Sequence, residues 1–357
     1  MTYPDWAQIR KDSFNESLMR MPDLPMLNDD TPSFMARPIA RSRDDLRGAD
    51  IVIIGSSYVA GVEDYAGVPR DDWAAAAKRV RQQSCRYVSG YIQDFDLDVF
   101  EHLNIVDYGD AEVPQSCLVE ATAENALEAQ ANVEGMVNDV LDAGAIPIVI
   151  GQNSPCSSFA IAKPISERTD GRVGMVSLDT HWDSEPIDDL IPDPRIAGGA
   201  SWKGKTYEFL ENFHMQNLVE IGERGLLERK SVIRNYLANG AHFFSGWRLN
   251  QMGIDAVCAE LRHAYNGTDA VYAHFDMDVI GGAGPVGGDI LGELAEPLGM
   301  SEYQVLRIAH EVGRRGLTGM SFICIPPGSK IVYRLVVYVI MYLLAGLIEG
   351  RQAGPQG

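Results

Sequence analysis

The apolar positions of this chain fall into short continuous runs, separated by longer stretches with a helical period. The runs that predict strands are 49–55, 103–109, 145–151, 173–178, 217–222, 241–245, the stretch from residue 270, and 317–325. Continuously apolar strands that alternate with helices are typical of a parallel sheet covered on both faces. The pattern therefore predicts one α/β domain.

Helical patterns fill most of the intervals between these runs. They occupy 73–84, 120–143, a stretch from about 157, 253–265, a stretch from 301, and the apolar run 335–348. Gly144 and Ser301 are predicted caps of two of these helices. The run 335–348 is shorter than the roughly 20 residues that span a bilayer, so it predicts a buried closing helix. Residues 184–204 are predicted to be a loop.

Two of the predicted strands end in side chains that bind metal ions. The strand 173–178 is followed by Asp179, His181 and Asp183, and the strand from residue 270 runs into Asp276 and Asp278. Alternate residues of an extended strand point to the same side. Parallel strands also share a carboxyl edge, where α/β proteins bind ligands. The spacing therefore predicts one shared metal site at that edge.

Charge and cysteine content indicate which partners and which cellular location to expect. The chain has 357 residues with 50 acidic and 30 basic side chains, a net charge of −20. Such a surface repels nucleic acid and anionic membranes, so neither is an expected partner. The five cysteines form no CxxC pair, and the first residues lack the apolar core of a signal peptide. We expect reduced thiols and a cytoplasmic location.

The two ends of the chain differ from its middle. Residues 1–49 are rich in Pro, Met and Asp and have no clean period. They predict an N-terminal arm that contacts another subunit, with a loosely ordered leader as the alternative. Residues 50–350 form the predicted domain, and 351–357 a flexible tail.

The metal-binding motifs resemble those of a known family. The sequence DTHWD at 179–183 resembles the DxHxD signature of the ureohydrolases (arginase, agmatinase and guanidinase). The sequence FDMD at 275–278 resembles their second signature, FDxD. Segments 106–110, 143–151 and 221–225 also follow the family's order and spacing. The resemblance covers roughly residues 50–350.

This resemblance implies a fold and an activity. The fold is a three-layer α/β/α arginase-like domain around a mainly parallel sheet, assembled into trimers or hexamers. The activity is hydrolysis of a guanidino group to urea and an amine. It uses two divalent metals, manganese or nickel, that lower the pKa of a water.

The resemblance also assigns ligands. One metal would be held by His181 with Asp179, Asp276 and Asp278. The other would be held by Asp183, the two shared carboxylates and a histidine that follows the strand 145–151.

Four positions depart from the family's pattern. Ser154 stands where that histidine should be, and a hydroxyl is a poor ligand for nickel or manganese. Lys203 stands in for the histidine of an HG pair. Cys324 and Lys330 stand where the family has a substrate-binding Glu and a nearby Asp, so an acidic pair that attracts a guanidinium is lost. Because four carboxylates cannot all stay ionised without compensation, Lys203 or Lys330 is the expected counter-ion if no metal binds.

Two hypotheses follow from these departures. In the first, the metal set is vestigial or holds a single ion, and this chain carries no catalytic residues. It is then an assembly subunit of a heteromeric hydrolase for a guanidino or biguanide compound such as metformin. A paralogous partner would bind the nickel or manganese. In the second, the chain is a self-sufficient guanidine or agmatine hydrolase with a modified site. A ligand-binding regulator on the same fold is a third alternative.

Three further side chains near the site are expected to be structural. His274 shares the strand parity of Asp276, but the family has no ligand there, so a packed histidine is expected. Cys156 and Cys324 are expected to be buried thiols rather than nucleophiles.

Overall fold

An eight-stranded sheet forms the centre of the protein, and all its strand pairs are parallel. The computed structural model describes residues 24–59, 64–65, 68–87, 89–120, 122–152, 155–185, 193, 195–224, 226, 228–281 and 297–354. The strands of the sheet are β1 (Ile51–Ser56), β2 (Ile105–Ala111), β3 (Ile146–Ile150), β4 (Val173–Leu178), β5 (Phe213–Ile221), β6 (His242–Phe244), β7 (Ala270–Asp276) and β8 (Gly319–Ile323).

The strand order brings together the two strands that carry metal-binding motifs. Across the sheet the order is β6-β5-β4-β7-β8-β3-β1-β2. Strands β1 to β3 form one half of the sheet and β4 to β6 form the other half. Strands β7 and β8, which come last in the chain, lie between these two halves. As a result β4 and β7 are neighbours, with Leu178 paired to Phe275. Both strands end at the same edge.

Helices cover both faces of the sheet. In the described residues they are α1 (Arg70–Ala74), α2 (Ala76–Ser84), α3 (Val99–His102), α4 (Ala123–Asp142), α5 (Ala160–Glu167), α6 (Trp202–Phe209), α7 (Lys230–Ala238), α8 (Gly246–Met252), α9 (Ile254–Glu260), α10 (Arg262–Tyr265), α11 (Glu302–Arg315) and α12 (Lys330–Ala353). Ile51 and Ile53 belong to the apolar cluster that includes α2, α11 and α12, whereas Val52 and Ile54 belong to the cluster that includes α4 and α5. This alternation confirms the three-layer α/β/α architecture.

Several local predictions are confirmed. Ser301 caps α11 with a capping box, and Gly144 has the left-handed φ of +77° just after α4. The predicted loop 184–204 is wrong at its end, because α6 begins at Trp202. The glycine-rich stretch 281–288 and the arm's residues 1–23 fall largely or wholly outside the described residues.

Helix α12 is the predicted closing helix. By length and composition it could cross a membrane, since its 18-residue window has a mean hydropathy of 2.2, yet 78% of that window is buried inside the protein. It packs closely on α11 through glycines. A Cβ on Gly346 would lie 2.0 Å from the carbonyl oxygen of His310, and one on Gly313 would lie 1.8 Å from that of Leu343. Backbone carbonyls cannot move aside as side chains do.

We expect Gly346→Ala to lower the free energy of unfolding by about 1–3 kcal/mol, because the added methyl forces the two helices apart. Gly135→Ala is the matched control. Gly135 is also inside a helix, but nothing lies within 4 Å of its added Cβ. That control should raise stability by up to about 1 kcal/mol through helix propensity. Urea denaturation followed by circular dichroism measures both, and equal effects would contradict the close packing.

Candidate metal centre

The candidate site is built from the ends of β4 and β7. The N–H of Asp179 donates to the carbonyl of Ile221 at 3.1 Å, which continues the pairing of β4 with β5. After β7 the chain turns through a short 3-10 helix, Met277–Val279. Asp276 accepts the N–H of Asp278 at 3.0 Å and so holds this turn closed. The two strand ends thereby present their carboxylates to one space.

Asp179, His181 and Asp278 form one possible ligand group. Nδ1 of His181 lies 3.0 Å from an oxygen of Asp278 and 3.8 Å from an oxygen of Asp179. The ligand atoms of all three lie within 4.8 Å of one another. Two ligands with bonds of about 2.1 Å to one ion lie roughly 3–3.5 Å apart, so this group fits a divalent ion.

The electrostatics of this group are strong. Burial acts to lower the pKa of His181, but Asp278 and Asp179 outweigh it and raise the pKa to about 10. Burial acts to raise the pKa of Asp278, but the His181 contact holds it below its ordinary value. Asp179 is fully buried, and its pKa is raised well above the usual range by burial and by Asp183.

Asp183 belongs to none of the ligand groups found among the described residues. Its side chain accepts a hydrogen bond from Nε1 of Trp202 at 2.9 Å. Its backbone has the left-handed φ of +46°, and its carbonyl accepts the N–H of Lys203 at 3.0 Å. Burial raises the pKa of Asp183 to about 7, although Lys203 and His181 act to lower it. The structure thus makes Asp183 a contact of helix α6.

Lys203 lies among the carboxylates with no exposed surface. Its Nζ is 2.9 Å from Glu220, 3.4 Å from Asp179 and 3.4 Å from the carbonyl of His181. Burial acts to lower its pKa, but Glu220 and Asp179 raise the pKa well above its ordinary value. Lys330, the other expected counter-ion, is exposed at the first residue of α12. Of the two lysines, Lys203 is the one that meets the carboxylates.

Sequence analysis missed three charged residues of the site. Glu220 on β5 pairs in register with Ser177, and Glu223 follows it; both are buried. Burial and Glu220 raise the pKa of Glu223 well above its usual range. Arg224 donates to the carbonyls of Asp278 and Val279, both at 3.1 Å. The sequence EIGERG was the signal, because its charged residues lie at the end of an apolar run that predicts a buried strand.

Negative charge exceeds positive charge in this region. Among the described residues, six carboxyl groups face three side chains that carry or can carry positive charge. The carboxyl groups are Asp179, Asp183, Glu220, Glu223, Asp276 and Asp278, and the basic groups are His181, Lys203 and Arg224. The excess requires either bound protons or a bound cation. Oxygen and imidazole donors suit manganese, nickel or zinc.

His274 packs as expected, with its ring 4.5 Å from that of Trp202. It also reaches the carboxylates, because a ring nitrogen forms a second ligand group with Asp179 and Asp276. Cys324 forms a third group with Asp276 and Asp278.

Cys156 and Ser154 are the other two residues that the sequence placed near the site. Cys156 is fully buried, and burial raises its pKa well above the usual value, so it is a structural thiol. Ser154 lies outside the described residues.

Comparison with known proteins decides the family. Residues 49–345 match the family model described as Arginase: Arginase family. This chain belongs to the arginase family. It is 26% identical over 188 residues to a formimidoylglutamase of Halobacterium salinarum, an alignment that covers 51% of this chain and about half, 53%, of that protein.

Solved structures show the same fold. Formimidoylglutamase of Bacillus subtilis superposes with a TM-score of 0.71 at 16% identity, covering 96% of this chain and 98% of that one. Proclavaminate amidino hydrolase of Streptomyces clavuligerus superposes with a TM-score of 0.71 at 20% identity, covering 90% of this chain and 98% of that one. Formiminoglutamase of Trypanosoma cruzi, solved with Mn²⁺, superposes with a TM-score of 0.68 at 21% identity, covering 89% of this chain and 99% of that one. The predicted superfamily and arginase-like fold are confirmed.

We expect Lys203→Met to lower the free energy of unfolding by about 3–5 kcal/mol in chelator-treated protein, because it leaves buried carboxylates unpaired. Glu220→Gln should destabilise as well, and the double variant should lose less than the sum of the two. Denaturant titration of all three variants measures the coupling.

Lys205→Met is the matched control for this cycle. Lys205 lies on the same helix and pairs with the exposed Glu208 at 2.9 Å. Lys205 is itself buried, but its partner is exposed to solvent, so the pair contributes at most about 1 kcal/mol and this variant should stay close to wild type. Equal losses for the two lysine variants would show that the contacts of Lys203 contribute little.

Proposed function

We propose that this chain is an assembly subunit of a heteromeric amidinohydrolase that converts a guanidino or biguanide compound, such as metformin, to urea and an amine. The observation that carries the proposal is the ammonium of Lys203, buried 2.9 Å from Glu220 and 3.4 Å from Asp179. A fixed cation inside the carboxylate cluster takes part of the negative charge that a binuclear metal centre needs.

The lysine and a metal centre act differently on the same carboxylates. A bound divalent ion supplies Lewis acidity and an activated water. The ammonium of Lys203 neutralises charge but has no open coordination position. Within the low-dielectric interior it also repels a cationic guanidinium. Lys203 therefore favours a stable, closed site over a reactive one.

The proposed partner is a paralogous ureohydrolase chain with a complete binuclear site. That partner would bind nickel or manganese, and the complex would be a cytoplasmic trimer- or hexamer-type assembly. The contribution of this chain would be its fold, its N-terminal arm and its subunit surfaces.

A self-sufficient hydrolase is the second candidate. The observation that favours it is the pair of ligand groups that share Asp179, one with His181 and Asp278 and one with His274 and Asp276. Two imidazoles and shared carboxylates are a donor set that metallohydrolases use. Under this candidate the isolated chain, loaded with manganese or nickel, releases urea from guanidine or agmatine.

Expression of this chain alone, of the paralogous chain alone, and of both together separates the candidates. Each preparation receives manganese or nickel and is assayed for urea release from guanidine, agmatine and metformin. A formimidoylglutamate assay is included because similar proteins carry that name. We expect the two chains to co-purify and the complex to be active, with no turnover by this chain alone.

Size-exclusion chromatography with light scattering gives the subunit ratio of the active species. Turnover by this chain alone would overturn the assembly role and establish the second candidate. A paralogue that is fully active and does not co-purify with this chain would also contradict the proposal.

A further inference from the structure

His274 lies beside the candidate metal centre, at a position where the family has no metal ligand. We propose that His274 is a metal ligand, and that its Nε2 binds a divalent cation together with Asp179 and Asp276. The site is one that this chain provides from β7, next to β4. The imidazole of His274 would take the place of the family's metal-binding histidine, where this chain has Ser154.

The register of the sheet aims His274 at the carboxylates. His274 pairs with Ser177 on β4 and with Ser321 on β8, so it lies in the middle of three adjacent strands. It is two residues before Asp276, and alternate residues of a strand face the same side. Asp179 directly follows β4, and Leu178 before it pairs with Phe275, the residue before Asp276. The ligand atoms of His274, Asp179 and Asp276 all lie within 4.8 Å of one another.

The hydrogen bonds of the ring leave one nitrogen open. Nδ1 lies 3.1 Å from the hydroxyl of Ser321 and 3.3 Å from that of Ser158. Nε2 is buried, and it has no hydrogen-bond partner within the part of the chain that the structure describes. Ligating histidines characteristically donate from their second nitrogen to a fixed acceptor, which sets the tautomer. Ser158 and Ser321 can serve as such acceptors.

The ring of His274 is fully buried, so its open nitrogen is shielded from solvent. A buried polar atom without a partner is destabilising, and a bound ion removes that cost. Trp202 holds the ring in place at 4.5 Å between centroids.

The contact of Lys203 with Asp179 leaves room for an ion. One oxygen of Asp179 accepts the N–H of His181 at 2.7 Å, and the other lies 3.4 Å from Lys203. A carboxylate has about four lone-pair positions, so further bonds remain open. One oxygen of Asp276 accepts the N–H of Asp278 at 3.0 Å, and the carboxylate has further lone pairs for an ion. Binding of an ion here does not require Lys203 to leave.

The test measures Mn²⁺ binding to the isolated full-length chain after chelator treatment. We expect His274→Phe, which preserves an aromatic ring against Trp202, to weaken binding by at least about ten-fold in Kd. His242→Phe is the matched control. His242 lies on β6 of the same sheet, and its ring stacks on that of His263 at 3.5 Å. We expect its Kd to be unchanged.

Pulsed electron paramagnetic resonance of the Mn²⁺ complex reports the ligand directly. In His181→Phe, coupling to an imidazole nitrogen should persist, and it should vanish when His274→Phe is added. Circular dichroism confirms that each variant is folded. Unchanged affinity in folded His274→Phe, or a wild-type chain that binds no Mn²⁺ at millimolar concentration, would overturn the assignment.

A wild-type crystal soaked in Mn²⁺ provides a measurement that needs no variant. The anomalous peak should lie within bonding distance of Nε2, about 2.2 Å. A peak held only by His181 and Asp278 would refute the role of His274. None of these readouts uses turnover or a partner chain, so their failure is distinct from failure of the proposed assembly role.

Discussion

The structure depends on how a cluster of carboxyl groups is neutralised at the carboxyl edge of its sheet. A parallel topology brings the strand ends to one edge, and in this chain those ends carry six carboxyl groups. Charges removed from water must be paired, protonated or bound to a cation. Lys203 and His181 supply part of that compensation. The contact of Lys203 with Glu220 also ties α6 to β5.

Lys203 and a divalent ion are two alternative ways to neutralise the buried carboxylates. The ammonium is covalently part of the chain, so its charge is always present and α6 is anchored by it. A metal ion brings more charge and an open coordination position, but it must be acquired from solution. The structure contains features of both. Lys203 contacts Asp179 from one side, while His181 and His274 form groups with it that are suited to an ion. Charge neutralisation by Lys203 and the proposed metal binding are therefore compatible in one chain.

The fold was predictable because its signals are local. Each strand of a doubly covered parallel sheet is a continuous apolar run, and Val173–Leu178 was placed correctly to the residue. The motif at residues 179–183 and its counterpart at 275–278 also identified the edge where the site lies. Helix α6 was missed because WKGKTYEF contains a glycine and has little apolar periodicity. It is helical because Trp202 and Lys203 are buried by contacts with distant strands, which no local pattern contains.

The sequence by itself determined the α/β architecture, the family and the identity of the acidic residues at the sheet edge. Tertiary structure decided which partner each of them meets. Lys203 and Lys330 are equivalent cations in the sequence, yet one is buried beside Glu220 and the other is exposed. His274 is a strand histidine in the sequence, and only the order of β4, β7 and β8 places it beside Ser321 and the carboxylates. The physical reason is that charge pairing and metal coordination depend on distances between residues far apart in the chain.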